Sequence, residues 1–145
     1  MKTQNGKCVD FSVNRKVKLA GLWTTLMLLY IYCDIFSTFR PGHLEQAIQG
    51  KMGPFAVSQG TLAVFGLLMI IPALMVAFIL FAAARTGKWV SIIVGVVYSL
   101  VNIGNLAGET WLYYWLYGLL ELAITIIIIV VSAKWLKEEN RSDGA

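Results

Sequence analysis

Four runs of apolar residues, at positions 19–39, 58–84, 89–107 and 111–135, occupy most of the chain. A helix crossing about 30 Å of hydrocarbon needs roughly 20 mostly apolar residues, so each run predicts a transmembrane helix. The connections fall at 40–57, 85–88 and 108–110, which makes neighbouring helices antiparallel. The predicted fold class is an all-α membrane protein, an antiparallel up-down four-helix transmembrane bundle over 19–135, flanked by tails at 1–18 and 136–145. Pro72 falls inside the second run; it has no amide N–H and leaves the Leu68 carbonyl, one turn earlier, without its helical donor, so a kink is expected there. In the first connection Leu44, Ala47 and Ile48 stand at helical spacing between Pro41-Gly42 and Gly50, which predicts a short helix lying on the surface.

The polar positions within the runs are more informative than the apolar ones. In the third run Ser91, Gly95, Tyr98, Asn102 and Asn105 recur at alternating steps of four and three, which keeps them on one helical face. The fourth run repeats the spacing with Tyr114, Gly118, Glu121, Thr125 and Ser132, Ile128 filling the one apolar position. The first presents Trp23, Met27, Tyr30, Asp34 and Ser37, and the second Gln59, Ala63, Gly66, Ala73 and Ala77, a stripe of mainly small residues suited to close helix approach. Polar groups are costly against lipid, so the four stripes are expected to face one another. Counted from the helix ends, Asp34, Gln59, Asn102 and Asn105 lie in one half of the bilayer and Glu121 lies near its middle. The inference is a polar pocket opening outward, with Tyr30, Asp34, Gln59, Tyr98, Asn102, Asn105, Tyr114 and Glu121 as candidate ligand-binding residues. The plainer reading is that these groups only hydrogen-bond between helices, at about 0.6 kcal/mol each on average.

Composition agrees: 58% of the 145 residues are hydrophobic and 14% charged, with a mean hydropathy of +0.70. The net charge of +4 sits beside the apolar runs, where Lys and Arg meet anionic headgroups, so the lipid bilayer and not nucleic acid is the expected partner. The first run carries on past Asp34 without a small-residue cleavage site and is expected to be retained. Orientation follows from the cations. Lys2, Lys7, Arg15, Lys16, Lys18, Arg85, Lys88, Lys134, Lys137 and Arg141 fall on one side, against Arg40 and Lys51 on the other. The positive-inside rule then places both termini in the cytoplasm of a multi-pass protein of the cell (inner) membrane. Trp23, Trp89 and Trp135 would form an inner interfacial belt, and the aromatic residues from Trp111 to Tyr117 an outer one.

Several chemistries are excluded as complete sites. One histidine, His43, and no Cys/His cluster give neither a zinc nor a haem site, so no metal and no cofactor are expected. There is no phosphate-binding glycine loop and no nucleophile elbow, so no catalytic residue is assigned. Cys8 in the basic tail and Cys33 within the first span are expected to lie too far apart to pair, and there is no CxxC.

The stretches YCDIFS (Tyr32 to Ser37), PGHLE (Pro41 to Glu45), Gln59 at the head of the second run, MIIPALM (Met69 to Met75) and YYWLYGLLELAIT (Tyr113 to Thr125) carry a resemblance. From Tyr32 to Trp135 the chain resembles a family of small bacterial four-pass membrane proteins of unknown function, which implies a compact four-helix bundle and no activity. A fainter likeness is to the DoxX-like membrane proteins, some associated with thiol or quinone redox functions. Three classes of function stay open. One is binding or transport of a small polar or amphipathic molecule, a lipid or a proton. The second is a membrane enzyme using Asp34 and Glu121 as an acid and base. The third is a structural or accessory subunit packed against a membrane partner or a second copy.

Overall fold

A computed structural model describes residues 13–135; Lys2, Lys7, Cys8, Lys137 and Arg141, which entered the charge and cysteine readings, lie outside the described residues. In chain order the elements are helix α1 (Arg15–Thr38), helix α2 (His43–Ile48), strands β1 (Lys51–Met52) and β2 (Phe55–Ala56), and helices α3 (Gln59–Phe81), α4 (Ala84–Leu106) and α5 (Leu112–Ala133). Four of these helices, α1, α3, α4 and α5, are long and apolar enough to cross a membrane. They form the expected bundle, with α1 against α3 and α5, α5 against α4, and only slight contact between α3 and α4.

The helix ends differ from the hydropathy boundaries. Helix α1 starts at Arg15 instead of 19, capped by the Asn14 side chain, which accepts from the Lys16 amide at 2.9 Å. Helix α4 starts at Ala84 instead of 89, so the connection expected at 85–88 shrinks to Ala82 and Ala83, and Arg85 and Lys88 belong to the helix. Hydropathy ends a run at the first charge, whereas a long basic side chain in a terminal turn can keep its stem on the helix and its head in water. The Lys16 ammonium donates to the carbonyls of Leu80 and Ala82 at 3.3 and 2.7 Å, fastening the start of α1 to the end of α3 and serving acceptors that the helix terminus leaves open.

The buried faces of α4 and α5 follow the polar stripes: Gly87, Ser91, Gly95, Tyr98, Asn102 and Leu106 on one, Gly118, Glu121, Thr125, Ile128 and Ser132 on the other. Small residues bring the two backbones together. A Cβ on Gly95 would lie 2.9 Å from Ile129 Cγ1, and one on Gly118 would lie 2.5 Å from Leu106 Cδ2, so neither site takes a side chain without displacement of its neighbour.

Helix α3 corrects the expectation. Pro72, Met75 and Ile79 are its buried residues, with Phe65 and Leu68 half-buried, while Gln59, Ala63, Ala73 and Ala77 of the small stripe are exposed. A helix apolar on all sides carries no period from which its inner face can be read. Trp23 and Trp135 are corrected too. They are 0% and 7% exposed and belong to the buried cluster with Leu19, Leu26, Met75 and Ile128, leaving only Trp89 of the expected inner belt exposed.

The connection between α1 and α3 contains the expected short helix and, in addition, a hairpin pairing Lys51 with Ala56 and Met52 with Phe55. Gly53 takes φ 56° at the first central position of its two-residue turn, a conformation open to glycine. The Phe55 ring meets Phe65 edge-on at 5.6 Å and so rests the hairpin on α3. We call this end of the bundle the loop end and the opposite one the terminal end.

Candidate binding site

Two helical stripes compete on α1, and packing selects between them. Trp23, Met27, Tyr30, Asp34 and Ser37 step by four and three; Trp23, Leu26, Tyr30, Cys33 and Ser37 step by three and four. The second is the buried one. Asp34 is therefore exposed, at the rim, and not an interior residue as expected, while Cys33 is buried.

A cavity of about 100 Å³ lies between the four helices, lined by Tyr30, Cys33 and Asp34 of α1, Phe65, Leu68 and Met69 of α3, Tyr98, Val101 and Asn105 of α4, and Tyr114 and Glu121 of α5. It is well below the 300–1,000 Å³ of pockets that hold drug-sized ligands, so it suits water or a small solute. Six of the eight candidate residues, Tyr30, Asp34, Tyr98, Asn105, Tyr114 and Glu121, meet at this cavity, though Asn105, like Asp34, is exposed and not the interior residue that its stripe predicted, because the buried face of α4 passes from Asn102 to Leu106. Asn102 sits behind its wall, fully buried, accepting from the Tyr30 hydroxyl at 2.8 Å. Gln59 is not part of it. The Ser58–Thr61 capping box makes Gln59 a first-turn residue of α3, exposed at the loop end. Cys33, Phe65, Leu68, Met69 and Val101 were not singled out by the sequence; for Cys33 the signal was its place between Tyr30 and Ser37 at steps of three and four.

One wall of the cavity rests on the proline of α3. Pro72 leaves the Leu68 carbonyl without an amide donor from its own helix, and the Tyr98 hydroxyl of α4 donates to that carbonyl instead. Other polar side chains are paired across helices. Ser37 Oγ and the Tyr113 hydroxyl are 2.9 Å apart, and Ser99 Oγ donates to Thr125 Oγ1 at 3.0 Å. Glu121 differs. It is 5% exposed, and its Oε1 is buried without a hydrogen-bond partner. Asn102 Nδ2 is likewise unpartnered, as are Ser91 Oγ, Ser132 Oγ and Trp23 Nε1 of the buried core.

The loop end carries an ion pair. Arg40 donates from Nη1 and Nη2 to the two carboxylate oxygens of Glu109 at 2.9 and 3.0 Å, and its guanidinium lies 5.0 Å from the centre of the Trp111 ring. Burial would push the Glu109 carboxyl up, but the hydrogen bonds from Arg40 and from the Thr110 and Trp111 amides outweigh it and hold the group below its ordinary value. The same contact raises Arg40. A shallower depression of about 300 Å³ lies beside this pair, lined by Arg40, Pro41, His43, Gln46, Gly53 and Trp111. His43 is half-buried there.

The fold and site define a class: a four-helix bundle of membrane-crossing length with a small carboxyl-bearing cavity among its helices. Residues 6–142 match a family of unknown function, DUF6326, and the chain belongs to that family. No curated protein and no solved structure matches the chain.

Proposed function

We propose that this is a multi-pass membrane protein that binds a small polar solute in the four-helix cavity, with Glu121 as the anchor and the loop end as the side of entry. The charge count supports that side as the outer one and the basic terminal end as the cytoplasmic one. The observation that carries the reading is the Glu121 carboxyl, almost wholly buried, in a cavity wall, with Oε1 unpartnered. A buried polar group without a hydrogen bond costs roughly 1–3 kcal/mol, and more if charged. The interhelical-packing account explains the Tyr30–Asn102, Ser37–Tyr113 and Ser99–Thr125 pairs, but Glu121 makes no such pair and so is poorly explained as packing glue.

Cys33 reports on the cavity it lines. In a Cys8→Ser background, methyl methanethiosulfonate, a small neutral reagent, is expected to label Cys33 in the folded protein in membranes. Phe65→Trp, which fills the cavity from α3, is expected to slow that labelling at least tenfold without unfolding the bundle. A folded protein whose Cys33 is inert to the reagent, yet reacts fully in denaturing detergent, would remove the pocket and the function built on it.

A further inference from the structure

The cavity wall carries a specific chemical bias. Two of its lining residues, Asp34 and Glu121, are carboxylic acids, and none is Lys, Arg or His. Arg40, at the loop end, is already engaged by both oxygens of Glu109. No fixed positive charge therefore neutralises the cavity from within its own wall. Four of the lining residues are aromatic: Tyr30, Phe65, Tyr98 and Tyr114. They come from all four helices, and the rings of Tyr30 and Tyr98 stand 6.4 Å apart at a tilt of 36°. Ring faces carry negative potential and attract cations most effectively where water is excluded.

We propose that the solute taken up by this cavity is a small organic cation, an ammonium group no larger than tetramethylammonium, held between the Glu121 and Asp34 carboxyls and the aromatic walls. The inference rests on the pocket reading above and adds the ligand's charge and class. Three features of the cavity select against the alternatives. An anion would face two carboxyls with no cationic partner, and like charges brought together at low dielectric repel strongly. A hard metal ion such as Ca²⁺ or Mg²⁺ requires six or more oxygen ligands, whereas Phe65, Leu68, Met69, Val101 and Cys33 occupy nearly half of this lining. A neutral polar solute would make no use of the four aromatic rings of the lining. A weakly hydrated ammonium meets both halves of the wall: its charge pairs with the carboxyls, and its methyl or methylene groups pack on rings and aliphatic side chains. The placement of the two acids orders the approach. Asp34, exposed at the rim, meets the cation first, and Glu121, nearly buried, receives it.

The test uses full-length protein with Cys8→Ser in membranes, and the rate at which methyl methanethiosulfonate labels Cys33. Three probes of similar shape and different charge are added in turn: tetramethylammonium, tert-butanol and pivalate. Tetramethylammonium is expected to slow labelling at least tenfold at saturation, with little effect from the neutral and anionic probes. Asp34→Asn, a rim substitution, is expected to weaken that protection at least fivefold, measured against the variant's own unprotected labelling rate, and Glu121→Gln to abolish it. Because Glu121→Gln alters a buried position, the Asp34→Asn result stands independently of whether that variant folds. Equal protection by tert-butanol, protection by pivalate alone, or no protection by any probe would overturn the cation assignment while leaving the pocket intact. Failure of Cys33 to label at all in the folded protein would overturn both.

Discussion

Replacing Tyr98 by Phe removes one oxygen and little else, and it isolates the link between Pro72 and the cavity wall. The Leu68 carbonyl has no helical donor because residue 72 has no N–H, and the Tyr98 hydroxyl is its partner. Interhelical side-chain bonds in membrane proteins average about 0.6 kcal/mol and reach about 1.7, whereas stranding a buried acceptor costs about 1–3 kcal/mol. Tyr98 is 3% exposed, so little lipid or bulk water replaces the lost donor. We expect Tyr98→Phe to destabilise the bundle by about 1–2 kcal/mol, a value between those two ranges. The same substitution made with Pro72→Ala should cost less than about 0.5 kcal/mol, because the new amide at 72 serves the Leu68 carbonyl from within α3 and the cycle subtracts the packing change at 72. The measurement is reversible unfolding in mixed micelles at increasing mole fraction of dodecyl sulfate, followed by circular dichroism for all four members of the cycle. An equal loss from Tyr98→Phe in both backgrounds would refute the idea that the hydroxyl substitutes for the missing proline donor.

Gly95→Ala places a methyl group 2.9 Å from Ile129 Cγ1 and is expected to lower stability in the same assay by about 1–3 kcal/mol, the usual cost of overpacking a core; an unchanged unfolding curve would mean the α4–α5 seam is looser than described. Glu109→Gln removes the bidentate partner of Arg40, and we expect a loss of about 1 kcal/mol at neutral pH, near the upper end for a partly exposed pair. The wild-type carboxyl has a folded-state value below its ordinary 4.5, so its contribution is complete above the unfolded value and is lost as pH falls through the folded one. Stability of wild type and Glu109→Gln should accordingly converge in acid, and a gap that persists or widens below pH 4 would contradict the ion-pair account. For topology, Gln46→Cys and Arg85→Cys in a background lacking Cys8 and Cys33 should react with an impermeant maleimide from opposite faces of the membrane, Gln46 from outside and Arg85 from the cytoplasm; the reverse pattern would overturn the orientation.

The sequence alone determined the four helices, their antiparallel order and the inner faces of α4 and α5. Polar and small residues there interrupt an otherwise apolar background at steps of three and four, and the cost of exposing them to lipid leaves them one direction to face. Glu121, Thr125, Tyr98 and Asn102 were legible for that reason. Where the background offered no contrast, periodicity carried no direction, and only tertiary packing decided that α3 turns Phe65, Leu68, Pro72 and Met75 inward and its alanines outward. On α1 two stripes that share Trp23, Tyr30 and Ser37 both met the spacing rule; contact with α3 and α5 chose Leu26 and Cys33 over Met27 and Asp34, which turns the inward face by about 40° at roughly 100° per residue and moved Asp34 from the interior to the rim. Trp23 and Trp135 read as interfacial because tryptophan commonly is, yet the space between helices at the terminal end takes both rings into the core. The pairing of Tyr98 with Leu68 joins residues 30 positions apart on two helices that otherwise barely touch; the sequence marked the orphaned carbonyl, but which side chain would reach it depended on how α3 and α4 sit across the cavity.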